Sequence, residues 1–185
     1  MRELSLHILD IAENSLAAGA TKVEVAVVED TKRDQLSITI RDNGKGMSDD
    51  QVKRVLDPFV TSRSTRKVGL GLPLLKSAAE ACDGNLTIES KPGKGTITKV
   101  CFQLSHIDRM PLGDLAETWL TLLLGSPEIN WVLRYQVNEK KFFLDDSTIK
   151  QEIDDVSITE PRIIKIIRQM VRNGVEAVRQ NNKEK

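Results

Sequence analysis

Two glycine clusters constrain this chain more than any other feature. Asp42-Asn43-Gly44-Lys45-Gly46 and Gly69-Leu70-Gly71-Leu72 interrupt otherwise periodic sequence, and neither suits the interior of a helix or a strand. The first closes a β-branched run, Leu36 to Ile40. The second opens a helix at about Gly71, with Pro73 in its first turn, where a missing N–H is harmless. The fold must therefore place one glycine loop at a strand end and another at a helix start. A glycine loop at a helix start turns backbone N–H groups and the positive dipole end toward an anion.

The sequence around the clusters alternates between two periods. Residues 2 to 18 carry Leu4, Ile8, Ile11, Ala12 and Leu16 at helical spacing, and Gly19 follows as a terminator. Val23 to Val28 and Leu36 to Ile40 read as strands across the polar turn Glu29 to Gln35. Ser48, Asp49 and Asp50 give a cap and an acidic first turn to a short helix through Leu56. Beyond the helix at Gly71, which Asp83-Gly84 ends, Asn85 to Ser90 and Thr96 to Leu104 form a hairpin around Lys91-Pro92-Gly93-Lys94-Gly95. Helices alternating with antiparallel-type strands predict an α+β, two-layer architecture for the first 106 residues.

Past Ser105 the texture changes. Met110 to Gly113 reads as a connector, and Leu115 to Leu124 as a helix. Ile129 to Val137 and Lys141 to Leu144 read as a hairpin. Thr159-Glu160-Pro161 then starts a helix running to Gln180. Residues 107–185 are expected to form a small α/β appendage. Its isoleucine-rich last helix either packs on the hairpin or offers a surface for self-association or a partner. The pairs Asp145-Asp146 and Asp154-Asp155 lack the spacing of a calcium loop and are expected to form a solvated acidic face.

Composition excludes several classes of function. With 27 Lys+Arg against 27 Asp+Glu, the chain has no net charge to attract nucleic acid or an anionic membrane as a main partner. The longest apolar run, Trp119 to Leu124, is far below the roughly 20 residues that cross a bilayer. Asp10 and Glu13 interrupt what a secretory signal would leave apolar. Two widely separated cysteines, Cys82 and Cys101, are expected to be reduced core residues of a cytoplasmic protein.

Three local patterns can carry chemistry. Asp10 and Asn14 are four residues apart on the first helix and share a face with His7, so an amide and a carboxylate oxygen stand where a hard cation and its waters could bind. His7 is read either as an orienter of Asp10 or as a packed side chain. Asp42-x-Gly44-x-Gly46 sets a carboxylate at a strand end, able to accept from an exocyclic amine, beside glycines that let a flat base approach. Gly69-Leu70-Gly71-Leu72 follows the basic residues Arg63, Arg66 and Lys67, as a phosphate cradle would. Each pattern has an ordinary alternative: a polar helix face, a surface turn, a helix-entry turn.

Taken in order, Glu13-Asn14, Asp42-x-Gly44-x-Gly46, Phe59 and Gly69-x-Gly71 resemble the N, G1, F and G2 boxes of the GHKL superfamily. That superfamily includes gyrase-type topoisomerases, heat-shock chaperone ATPases, histidine kinases and mismatch-repair ATPases. Glu13-Asn14-Ser15-Leu16-Ala17-Ala18-Gly19-Ala20-Thr21 looks most like the mismatch-repair branch. Asp57-Pro58-Phe59-Val60-Thr61-Ser62 and Lys91-Pro92-Gly93-Lys94-Gly95-Thr96 look like the histidine-kinase branch. The resemblance implies a Bergerat ATP-binding fold, a mixed and mostly antiparallel sheet under helices. Asn14, with Asp10, would hold Mg²⁺ on the phosphates of ATP, and Asp42 would accept from the adenine amine. Gly44, Gly46 and Met47 would line the base, and Thr96 would touch it directly or through water. Phe59 would be the F-box residue, residues Thr61 to Val68, Ser62 and Arg63 among them, would form the ATP lid, and Gly69, Leu70, Gly71 and Leu72 the phosphate cradle.

Two departures shape the expected activity. The position four before the asparagine, a glutamate in hydrolysing members, is Asp10 here, one methylene shorter. The first helix begins near residue 2, with no phosphoacceptor hairpin ahead of it in this sequence, so any acceptor is expected on another protein. The resemblance therefore implies an Mg-ATP-binding regulatory protein, a stand-alone kinase of histidine-kinase or anti-sigma type acting on a protein partner. A slow ATP-driven switch and a nucleotide-gated binding module are the alternatives. A homodimer through the C-terminal region is also expected.

Overall fold

The computed structural model describes residues 3–57, 71–153 and 156–180. The chain runs α1 (Leu4–Ala17), β1 (Lys22–Asp30), β2 (Gln35–Asp42), α2 (Asp49–Val55), α3 (Gly71–Glu80), β3 (Asn85–Lys91) and β4 (Gly95–Gln103). It continues with α4 (Leu115–Gly125), β5 (Asn130–Val137), β6 (Lys140–Asp145), α5 (Asp146–Glu152) and α6 (Pro161–Gln180). One six-stranded sheet, ordered β3-β4-β2-β1-β5-β6, carries all the strands. Every pairing is antiparallel except β1 with β5, which is parallel and in register from Lys22↔Asn130 to Glu29↔Val137.

Alternation along the strands gives the sheet one inner face. Val23, Val25 and Val27 of β1, Leu36, Ile38 and Ile40 of β2, and Trp131, Leu133 and Tyr135 of β5 are all buried on it. Leu4, Ile8 and Ile11 of α1, Leu75 and Ala79 of α3, Trp119 and Leu123 of α4, and Ile167 and Val171 of α6 join them in one continuous core. The residues past 106 thus extend the same sheet, with β5 lying along β1, and share the core of the first four strands.

The connector at 110–113 ties the two parts together. α1 begins without a side-chain cap, and its first N–H groups are taken by Pro111 O (3.0 Å from Leu4 N) and Leu112 O (2.9 Å from Ser5 N). α6 buries Ile167, Val171, Val175 and Val178, and Arg168 and Arg172 clasp Glu117 and Asp114 on α4. Ile166 and Met170 of α6 remain exposed. Cys82 and Cys101 are separate buried thiols, and burial pushes both up from their ordinary pKa.

Two expectations are corrected. The seven-residue helix α5 follows β6 directly where no element was anticipated, because it is too short for its period to register. Asp145 and Asp146 are not a solvated acidic face. Asp145 caps α5 through Ser147 N (3.0 Å), and Asp146 is fully buried, accepting from Trp131 N and Asn130 Nδ2 at 2.9 Å each. Lys150 Nζ lies 2.6 Å from Asp146 Oδ2 as an ion partner and donates to Ile129 O at 2.6 Å. Asp154 and Asp155 lie outside the described residues. Removing Asp146 leaves the Trp131 amide without its acceptor and Lys150 without its partner, so Asp146→Ala is expected to lower stability by about 1–3 kcal/mol, read as the shift of a chemical unfolding midpoint.

Candidate functional site

The site grows from the last residue of β2. Cross-strand register aligns Asp42 with Thr96 of β4, and Thr96 with Ser90 of β3, so three polar side chains form a row across the inner face. Asp42 and Thr96 are both buried. Asp42 Oδ1 accepts from Gly44 N (2.9 Å) and Thr96 N (3.2 Å), and Oδ2 accepts from Ser15 Oγ of α1 (2.9 Å). A carboxylate offers about four acceptor positions, so one remains on Oδ2 for a ligand donor.

The loop after Asp42 is stitched to both neighbours. Asn43 Oδ1 accepts from Thr21 N and Lys22 N at 2.8 and 2.9 Å. Lys45 N donates to Ala18 O at the end of α1, and Lys45 O accepts from Gly93 N in the β3–β4 turn. Met47 N donates to Ser90 Oγ (2.8 Å). Gly44 has no room for a side chain: a Cβ would stand 2.8 Å from Ala18 O and 3.1 Å from Asp42 Oδ1. Gly46 takes φ +67°, and a Cβ there would overlap the Lys91 carbonyl oxygen. Both glycines are thus required by the close packing of the loop against Ala18 and Lys91.

The second flank is the side of α1 that bears His7, Asp10 and Asn14. Asp10 is half-buried, and its Oδ2 would lie 3.0 Å from a Cβ placed on Gly71, so the carboxylate abuts the first residue of α3. Asn14 is exposed, one turn beyond Asp10. His7 is buried with no hydrogen-bond partner at Nδ1. Burial lowers its pKa, partly countered by the Asp10 charge. Leu72 is partly buried against the core. Phe59, Thr61, Ser62, Arg63, Gly69 and Leu70 lie outside the described residues.

Among the described residues, no three His, Cys, Asp or Glu side chains gather as a metal cage. Mg²⁺ keeps several waters and takes one or two protein oxygens plus phosphates. Asn14 and Asp10 could supply those two oxygens. A cavity of about 760 Å³ at this end of the sheet is lined by Asp42, Asn43, Val52, Ser90 and Gly95, among others. It also takes in Lys22, Glu24 and Arg41 from strand positions that point away from the core, and its lining omits Asp10 and Asn14. The polar row and this cavity share Asp42 and Ser90.

Residues 1–106 match the family model described as histidine kinase-, DNA gyrase B-, and HSP90-like ATPase. The chain belongs to this family. Its first 106 residues are therefore a GHKL ATP-binding domain, and the six-stranded mixed sheet under helices is that family's Bergerat α/β sandwich. A putative sensor histidine kinase NtrY-like of Rickettsia conorii is 29% identical over 109 residues, spanning 58% of this chain and 18% of its own length. Sporulation kinase E of Bacillus subtilis is 38% identical over 65 residues, 35% of this chain and 9% of that protein. The chain spans less than a fifth of the length of these relatives. The Aquifex aeolicus MutL ATPase domain, solved with ADP, shares the fold at 21% identity with a TM-score of 0.50. That likeness covers 83% of this chain and 68% of the MutL domain. It therefore extends past the 106 residues matched by the family model.

The GHKL domain also uses two serines that sequence reasoning did not assign. Ser15 bonds Asp42, and Ser90 joins Met47 to Thr96. Ser15 directly follows the Glu13-Asn14 pair and was legible as a neighbour of that motif. Ser90 carries no local signal, because it acts through cross-strand register. Gly46→Ala is expected to cost at least about 1–2 kcal/mol from the left-handed backbone alone, before the clash with Lys91 O is added. A urea unfolding curve that does not shift would contradict the tight loop.

Proposed function

We propose that this chain binds Mg-ATP and serves as a regulatory protein kinase, passing the γ-phosphoryl group to a protein partner. The observation that carries the reading is the buried Asp42 carboxylate, fixed by three donors and left with one acceptor position beside the glycine loop. An acceptor so placed selects a base that presents an N–H, as the adenine amine does. Asp10 at the first residue of α3 sets a carboxylate where phosphate and an attacking group would meet. The names of its relatives, a putative sensor histidine kinase and a sporulation kinase, support kinase chemistry over a topoisomerase or repair machine.

In this reading Asn14 and Asp10 would hold Mg²⁺, which supplies charge neutralisation on the phosphates when bound. The N–H groups at the start of α3 orient the phosphate chain, and Asp42 fixes the base, so catalysis is chiefly positioning and charge stabilisation. Asp10 takes the proton of a hydroxyl acceptor, or orients the acceptor where it is a histidine nitrogen. A second reading, slow ATP hydrolysis that switches a partner interface, is favoured by the retained carboxylate at position 10.

Calorimetry with ATP, ADP and GTP, with and without Mg²⁺, followed by transfer of labelled γ-phosphate, tests both readings. Adenine-selective, Mg-assisted binding is expected, and its absence overturns the proposal. Asp42→Asn can keep its oxygen toward Gly44 and Thr96 but must turn N–H toward the base. It should still unfold cooperatively, at a lower midpoint because the bond from Ser15 is lost, and lose about tenfold or more in ADP affinity. For Asp10→Asn, phosphate transfer or release should fall at least about tenfold with ADP binding kept. If binding falls instead, Asp10 is a structural residue.

A further inference from the structure

The sheet has two margins, and they differ in chemistry. β3 exposes Asn85, Thr87, Glu89 and Lys91, polar side chains that suit water. β6, at the opposite margin, exposes Phe143 beside its lysines. The direction of the β6 backbone groups follows from register. Asn130 N donates to Thr21 O at the start of β1, so even-numbered residues of β5 bond β1 and odd-numbered ones bond β6. Tyr135 and Leu133 pair with Phe142 and Leu144, so Lys141 and Phe143 turn their N–H and C=O groups away from the sheet. Among the described residues no backbone group meets them. The helix layer ends at the same margin. Gly174 of α6 lies directly against the Phe142 ring, where a Cβ has no room. Met170 and Ile166 precede Gly174 at four-residue steps, so they continue its stripe, and both are exposed. Arg168 and Arg172, which hold α4, stand about half a turn away round the helix. An apolar stripe of α6 therefore runs beside the bare edge of β6.

We propose that this margin binds a second copy of the chain: β6 pairs antiparallel with its counterpart about a twofold axis at Phe143, and the Ile166–Met170 stripes of the two α6 helices pack beside the seam. The order of residues in β6 makes the strand complementary to itself. Pairing Phe143 with the partner's Phe143 sets Lys141 opposite the partner's Asp145, and the same contact recurs across the axis. Lys141 is exposed, and Asp145 takes its bonds from Asn130 and Ser147 on Oδ1, leaving Oδ2 without a hydrogen bond among the described residues. Other registers lose this match. An axis at Phe142 leaves Lys141 opposite a phenyl ring, and an axis at Lys141 sets two lysines face to face, which is unfavourable. Backbone pairing over so short a strand makes a small interface, and the α6 stripe adds the apolar burial that a lasting dimer needs. Asp42 and Thr96 stand on β2 and β4, with β1 and β5 between them and β6, so the inference does not rest on the ATP reading.

Sedimentation equilibrium on the full chain tests the seam without any nucleotide. The mass should rise with concentration toward twice 20.7 kDa. Phe143→Pro removes an N–H that faces outward, so β6 keeps its bonds to β5 while the seam loses one from each copy. Met170→Glu puts a charge into the apolar stripe. Each variant should still unfold cooperatively and should raise the dimer dissociation constant at least about tenfold. Lys141→Glu should also weaken the dimer, and more at low salt than at high, because like charges then face each other. Phe143→Cys should form a disulfide across the axis under mild oxidation, seen as a dimer on a non-reducing gel, since Cys82 and Cys101 are buried. That readout and Met170→Glu carry the test if proline at 143 unfolds the chain. A mass of 20.7 kDa at every concentration overturns the inference. So does a dimer that Met170→Glu leaves intact and that Phe143→Cys does not cross-link, since it would use another face.

Discussion

Asp42 is a charge nine-tenths removed from water, and the architecture of the nucleotide end follows from what it takes to keep it there. An ionised carboxylate without donors does not survive burial. The three donors it has come from three different pieces of chain: the first helix, the glycine loop and the fourth strand. One side chain thereby fixes the spacing of α1 over the sheet, the path of the loop and the register of β2 with β4. The same bonds that satisfy the carboxylate also fix where it stands.

The loop itself shows how sterics narrow the choice of residue. Gly44 is packed under Ala18 and against its own Asp42, and Gly46 turns the chain with a positive φ beneath the Lys91 carbonyl. Asn43 between them spends its side chain on the start of β1. The loop therefore has almost no freedom of its own. A ligand binding there meets a preformed edge and does not have to order it, which lowers the entropic cost of association.

Much of this was legible from the sequence, for identifiable reasons. Asp42, Gly44, Gly46 and Gly71 stand out because their roles are local: a strand end, a tight turn, a helix start. Leu4, Ile8 and Ile11 or Val23, Val25 and Val27 declare their buried faces by period alone. What stayed hidden was non-local. Nothing in the spacing of β5 says that it will lie parallel to β1, since periodicity gives a strand its faces and not its neighbours. Ser90 is invisible for the same reason, and the acidic pair at 145–146 misled because burial depends on Asn130, Trp131 and Lys150. The sequence allows His7 two roles, and the structure finds it packed, with no hydrogen-bond partner at Nδ1.

The position of β5 changes what the family unit means in this molecule. A sheet of β3-β4-β2-β1 would end on β1, an edge with unpaired backbone groups and the inner side chains Val23, Val25 and Val27 reaching to its margin. Here that margin is an interior seam, closed by a parallel strand whose Trp131 and Tyr135 complete the core. The 106-residue ATP-binding module is thus not a detachable cassette in this chain. A cut at its border would turn a sealed seam into an adhesive edge, and the residues that follow the module are its missing wall.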